Sequence, residues 1–320
     1  MLLRILVTTL LLSRLFGLAA ADLNARPPKN DADLKMWLQN MVWYHRFTME
    51  EIQAATGLEA EEIQKALARY DIRAETKPKR KPGDSLLVLP YPGGRHPRIG
   101  FLEGALNPQR ETKLSIFAPW DENSYVVADI PEAIWSNLGL TYLAHTHVPT
   151  IWTKQNIELP KLEWVHLVNG DYKIERTLPN GIRFGTLARP ARDAVLMKMW
   201  LFNGSTNTLS DLRVQNCVML KGASGFDQQT NTNKIFRPPF AAVQSGDHWI
   251  IEAWKPINRC WGNAPCPCLH ADPKFPDTAS GQTTAIYGQV VFYTGKDIEG
   301  EFKRIESAWD EQMRPLVRSN

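Results

Sequence analysis

From Ser85 onward the chain is written in short runs of β-branched and aromatic residues, most of them closed by Gly, Pro, Asn or Asp: SLLVLPYPGG, TKLSIFAPW, SYVVADI, LTYLAHTHVP, AVLMKMWLFNGS, LRVQNCVMLKG, HWIIEAWKP and AIYGQVVFYTG. Runs bounded this way are strands, and no helical period alternates with them as a parallel βαβ sheet would require. The expected fold is mainly β, an antiparallel β-sandwich over residues 85–296. LPNGI marks a hairpin, with Asn180-Gly181 suited to positive φ. In AVLMKMWLFNGS, Val195, Met197, Met199 and Leu201 face one way and Leu196, Lys198, Trp200 and Phe202 the other. Both faces are largely apolar, which places this strand between two layers.

Helical periods flank this body. In FTMEEIQAATGLEAEEIQKALARYDI, Thr48 is an N-cap with Glu51 three residues on, a capping box, and Phe47 and Ile52 form a hydrophobic staple. Gly57 ends the first helix, and Ile63 and Leu67 give the second an apolar stripe. Leu34 to Tyr44 supplies a third. Helix, glycine turn and helix together resemble a DNA-binding helix-turn-helix. Glu59, Glu61 and Glu62 stand where phosphates would lie, so residues 22–76 are expected to be a helical domain packed on the body, with no nucleic-acid partner. ETKPKRKPGD contains the basic linker, residues 77–84. Ile298, Phe302, Ile305 and Trp309 mark a C-terminal helix over 297–320 that covers a sheet face or edge.

The chain starts with a basic residue, Arg4, an apolar stretch and an Ala19-x-Ala21 exit before Asp22, the pattern of a secretory signal over 1–21. A secreted or periplasmic protein without a transmembrane span in the mature chain is expected. Loss of Arg4 and Arg14 would take the formal charge from +3 to +1. A nearly neutral protein has no global attraction for nucleic acid, so an anionic ligand has to be held by local cations.

Chemistry concentrates in a few places. AHTHVP puts His145 and His147 on one face of an expected strand, close enough to share a substrate or a metal. CWGNAPCPCLHADP carries Cys266, Cys268, His270 and Asp272 at every second position. Pro265, Pro267 and Pro273 favour polyproline II there, which would break the period-two alignment. The four cysteines of an exported chain favour a disulfide from Cys260 to Cys266 or Cys268, with Cys217 a buried apolar residue. The alternative is a divalent metal (zinc, copper or calcium) held by His145 and His147 with His270 or a cysteine. LPYPGGRHPRIGFLEG offers Arg95, His96 and Arg98, cations suited to a carboxylate. GFDQQTNTNKIFRPP offers Asn231, Asn233 and Lys234, and Trp152, Trp261 and Asn263 fall in expected loops where a sugar face stacks on indole.

Residues 86–295 resemble a galactose-mutarotase-like β-sandwich, the fold of sugar epimerases and parts of polysaccharide lyases, in strand layout, in GGRHPRIG and in QTNTNK. The resemblance implies a general-acid histidine, His145 or His147, and a carboxylate base for which no motif is evident. The function expected is a secreted carbohydrate-active protein, a lyase or epimerase of a uronic-acid-containing glycan working by histidine acid–base chemistry. Arg95 and Arg98 would hold the substrate carboxylate. The alternatives are a non-catalytic carbohydrate or cell-surface binding module and a metal-binding protein.

Overall fold

The structure is a computed structural model that describes residues 24–81, 83–100 and 106–318. The expected leader, 1–21, lies outside the described residues. Among the described residues three short helices, α1 (Asp31–Gln39), α2 (Met49–Thr56) and α3 (Ala60–Arg69), come first, and α1 runs on into a π-helical turn, Asn40–His45. The capping box at Thr48 is formed: the Thr48 N–H donates to Glu51 Oε2 at 2.9 Å, and the Glu51 N–H to Thr48 Oγ1 at 3.3 Å. Phe47, Ile52 and Ile63 join Trp37, Leu38 and Met41 in a small core of their own.

The body is two antiparallel sheets. One has seven strands, in the order β1 (Val88–Pro90), β2 (Lys113–Phe117), β3 (Tyr125–Ser136), β9 (Arg213–Met219), β14 (Cys268–Pro273), β13 (Ile257–Asn263), with β4 (Gly139–Leu143) paired to one end of β3. The other has eight, in the order β10 (Lys234–Arg237), β11 (Phe240–Ser245), β12 (His248–Lys255), β15 (Thr283–Thr294), β8 (Ala194–Phe202), β7 (Arg183–Pro190), β6 (Tyr172–Thr177), β5 (Val165–His166). They pack face to face over a core of Leu114, Val126, Val218, Leu269, Met197, Val243, Ile250 and Trp254. This is the expected sandwich.

Strand β8 lies between layers as its two apolar faces require. Met197 and Met199 enter the inter-sheet core, while Leu196 meets a second core shared with α4 (Ile298–Val317), through Phe302, Ile305 and Trp309. The LPNGI turn uses only Gly181 in the left-handed region, at φ 84°. The helical head packs over β1 and β2: Asn40 Nδ2 donates to the Pro90 carbonyl at 2.9 Å, and Arg95 bridges to Glu51 at 2.5 Å. Among the described residues no helix is long and apolar enough to cross a membrane.

Candidate functional site

The outer face of the seven-stranded sheet, near the head, carries a buried polar seam. Strand β14 supplies one side of it. Despite the flanking prolines, Cys268 to Pro273 is extended, so Cys268, His270 and Asp272 share one face and Leu269 and Ala271 enter the core. Cys268 lies opposite Met219 of β9 and Leu269 opposite Val218. Continuing that register sets His270 opposite Cys217, and Cys217 in turn lies opposite Asp129 of β3.

The β3 register then slips between Asp129 and Ala133, around Pro131, which has no N–H to give the ladder. The bulge turns Glu132 into the seam. Its backbone oxygen takes the Ala144 N–H at 2.8 Å, which holds the chain beyond β4 against β3. His145 and His147 follow there in a bend and not on a strand. They come together all the same, stacked with ring centroids 4.4 Å apart.

The contacts define a directed chain. His145 Nε2 donates to Glu132 Oε1 at 2.9 Å, so His145 Nδ1 is the acceptor for His147 Nδ1–H at 2.6 Å. That leaves the lone pair of His147 on Nε2, and His147 is exposed while Glu132 and His145 are buried. Burial opposes charge on Glu132, but His145 and Arg98 outweigh it and hold the carboxyl well below its ordinary range. His147 is lowered, first by partial burial and then by His145.

Arg98 joins the two halves of the seam. One of its nitrogens donates to Glu132 Oε1 at 3.1 Å and to Cys217 Sγ at 3.0 Å. Its segment lies so close to the β13–β14 turn that a Cβ on Gly100, at φ +101°, would stand 2.5 Å from the Pro265 carbonyl oxygen. Beyond Cys217, Cys268 Sγ is 3.1 Å from His270 Nε2, and the Trp261 indole stacks on the His270 ring at 3.9 Å and 9°. Trp261 Nε1 and Arg259 Nε both donate to Asp272 Oδ2, each at 2.7 Å. A hydrogen bond from the Cys217 thiol, with help from Arg98, lowers Cys268, while burial first of all raises Cys217 far above its usual range. Burial alone would lower His270, but Cys217, Glu132 and Asp272 outweigh it and lift it to about 9.

Beside His145 a cavity of about 360 Å³ opens, walled by Tyr142, Trp152, Ile157 and Leu159. Its floor is ionic. Arg176 meets Glu111 at 2.9 Å, Arg26 meets both Glu111 and, at 2.9 Å, Glu163, and Arg110 reaches Glu163 at 3.5 Å. Of these, Arg26, Arg176 and Glu111 line the cavity together with Lys161 and Glu158, three cations against two carboxylates. Arg110 is lowered to about 10, by burial and by the neighbouring Arg26 despite Glu163.

Among the residues expected at a site, His145, His147, Arg98, His270 and Trp261 meet in the seam and Trp152 lines the cavity. Others are engaged elsewhere. Arg95, expected to hold a carboxylate, pins the head through Glu51 and through the His45 carbonyl at 3.0 Å. Arg98 is buried, with its guanidinium on Glu132 and Cys217. His96 closes a turn onto the Arg98 backbone. Asn231 donates to the Gly262 carbonyl at 3.1 Å and accepts from Lys234 Nζ at 2.9 Å, and Asn233 reaches the Gln244 carbonyl, so this loop is tied to its neighbours. Asn263 lies opposite Cys268, and its backbone N–H supports that sulfur.

The expected disulfide is absent, and all four cysteines are free. Cys260 lies opposite Ala271, while Cys268 lies opposite Asn263, an odd number of residues along. Cys260 therefore faces the inter-sheet core and Cys268 the outer face, too divergent for a bond. The metal set expected from His145, His147 and His270 also divides: His270 groups with Cys217 and Cys268, and His145 with Asp129 and Glu132. Cys217, Asp129 and Glu132 were missed. The available signal was an Asp and a Glu inside the apolar run YVVADIPEAIW, since acids in a buried strand need partners.

Comparison with known proteins names no family. No family model matches the chain, and no curated protein matches it. The chemistry of the site is read from its geometry.

Proposed function

We propose that this protein is an acid–base enzyme in which His147 exchanges a proton with a ligand seated at the cavity beside it. The observation that carries this reading is the hydrogen-bonded chain Glu132–His145–His147, which runs from a buried carboxylate to an exposed imidazole nitrogen. When His147 Nε2 takes a proton, its Nδ1 proton shifts toward His145, and the Glu132 charge, two steps away, stabilises the cation. His147 stands between Thr146 and Val148, both of which line the cavity.

The ligand class follows from the walls. An apolar wall with Trp152 and Tyr142 suits the face of a sugar ring, and the surplus positive charge of Arg26, Arg176 and Lys161 over Glu111 and Glu158 suits a carboxylate. A uronic-acid residue has both. In this reading the floor, and not Arg95 or Arg98, attracts the acid, and proton removal next to that carboxylate leads to elimination or epimerisation.

The test is turnover and binding on a panel of uronic-acid and neutral glycans. Uronic-acid substrates should turn over, and His147→Ala should lower kcat by about 100-fold or more with the fold intact. Binding without turnover by the unaltered protein would make it a binding module. Neither binding nor turnover, or full activity in the variant, would overturn the proposal.

A further inference from the structure

The sulfur side of the seam takes no part in that proton chain, and its arrangement has a chemistry of its own. Cys217 Sγ, Cys268 Sγ and His270 Nε2 all lie within 4.8 Å of one another, and all three residues are buried. We propose that they form a tetrahedral metal site selective for zinc, separate from the Glu132–His145–His147 relay.

Each ligand atom is already oriented by an outer partner. His270 Nδ1 is held by the Asn216 carbonyl, which keeps a proton on Nδ1 and makes Nε2 the nitrogen that gives up its proton to a metal. Trp261 stacked on the ring fixes its plane. Arg98 donates to Cys217 at 3.0 Å, and the Asn263 N–H supports Cys268. Metal-bound thiolates and imidazoles are surrounded in this way, whereas a merely buried cysteine needs no such donors.

The spacing fits as well. Zinc–sulfur bonds of about 2.3 Å and zinc–nitrogen bonds of about 2.0 Å at tetrahedral angles set ligand atoms about 3.5–3.8 Å apart. The 3.1 Å between Cys268 Sγ and His270 Nε2 and the 4.8 Å outer bound bracket that range. Two thiolates and a neutral imidazole around Zn²⁺ make a neutral centre, and the protons held on the two cysteine sulfurs and on His270 Nε2 leave to solvent on binding. The fourth position goes to a water or a ligand.

The neighbouring trio of Asp129, Glu132 and His145 is as tightly spaced but is already occupied by cations. Lys113 Nζ stands 2.9 Å from Asp129, and Arg98 3.1 Å from Glu132. Its oxygen donors are hard, whereas two sulfurs and a nitrogen select zinc over calcium or magnesium.

The experiment uses reduced full-length protein, stripped of metal while unfolded and refolded without oxygen. Cobalt(II) should bind at one equivalent with a thiolate-to-cobalt charge-transfer band and the intense visible bands of tetrahedral cobalt, and zinc should bleach both. Cys217→Ser, Cys268→Ser and His270→Gln should lose the bands. Arg98→Met should bind about 10-fold more weakly. His147→Ala should keep the full spectrum, so failure of the relay and failure of the metal site are distinguishable. A readout that needs no variant is alkylation in mild denaturant followed by peptide mapping, in which zinc should slow the labelling of Cys217 and Cys268 but not of Cys260. No tetrahedral spectrum, or protection of other cysteines, would overturn the proposal.

Discussion

His45 makes the joint between the helical head and the sandwich sensitive to acid, and the size of the effect follows from its surroundings. The residue is 1% exposed and enclosed by the rings of Phe47, Tyr91, Phe117 and Tyr125, at centroid distances of 4.8–5.8 Å. Its Nδ1–H donates to the Asn40 carbonyl at 3.2 Å, and its Nε2 accepts the Ser115 hydroxyl at 2.7 Å. The neutral ring is satisfied, and protonation of Nε2 would place a charge inside the aromatic box, out of reach of water. Burial first, and the Arg95 charge after it, lower His45 from 6.5 to about 3. Below 6.5 the unfolded chain therefore binds a proton that the native state refuses, and stability falls with pH until the folded value is reached. At about pH 5, some 1.5 units below the ordinary value, the loss is about 2 kcal/mol. Guanidinium unfolding of the native protein and of His45→Gln, at about pH 7.5 and about pH 5, isolates this contribution from every other titrating group. The variant starts less stable, because glutamine fills the aromatic box poorly, but the gap should shrink by about 2 kcal/mol at the lower pH. An equal gap at both values would refute the reasoning.

Three further outcomes test other parts of the structure. Gly94→Ala should destabilise by on the order of 3 kcal/mol, because φ is +78° and the new Cβ would stand 2.2 Å from the Glu51 carbonyl oxygen; an unchanged melting temperature would contradict the docking of α2 on this loop. Lys113→Met should cost about 3–5 kcal/mol in denaturant unfolding by stranding the Asp129 carboxylate, 0% exposed and 2.9 Å from the ammonium, and Asp129→Asn added to it should recover part of the loss. By NMR, His147 should titrate below 6.5, as its partial burial and its neighbour His145 require, and turnover should fall on the acid side as His147 takes a proton; titration above 6.5 would remove the base from the relay.

Much of the architecture was legible in the residues themselves, because it depends on local periodicity and backbone chemistry. Two-fold alternation in strands such as β8, the capping box at Thr48, the glycine stop at Gly57 and the apolar stripe of α4 are each set by neighbours a few residues away. The pairing of His145 with His147 was legible for the same reason, although a bend and not a strand brings them together. The rest of the site depends on which strands become neighbours. Cys217 and His270 are 53 residues apart in number (270 − 217) and meet only because β9 lies beside β14. Glu132 turns inward only because the β3 ladder slips at Pro131. Arg95 and Arg98, three residues apart in sequence, are equivalent cations until tertiary packing sends one to Glu51 and the other to Glu132 and Cys217. The prolines around Cys266 argued against a strand, yet β14 is extended, because pairing with both β9 and β13 outweighs the local polyproline preference. Sequence alone determined what the layers are made of, since burial periodicity is a local property. Only the tertiary structure decided which buried charges and sulfurs face one another, because sheet order and register are settled by the packing of the whole core.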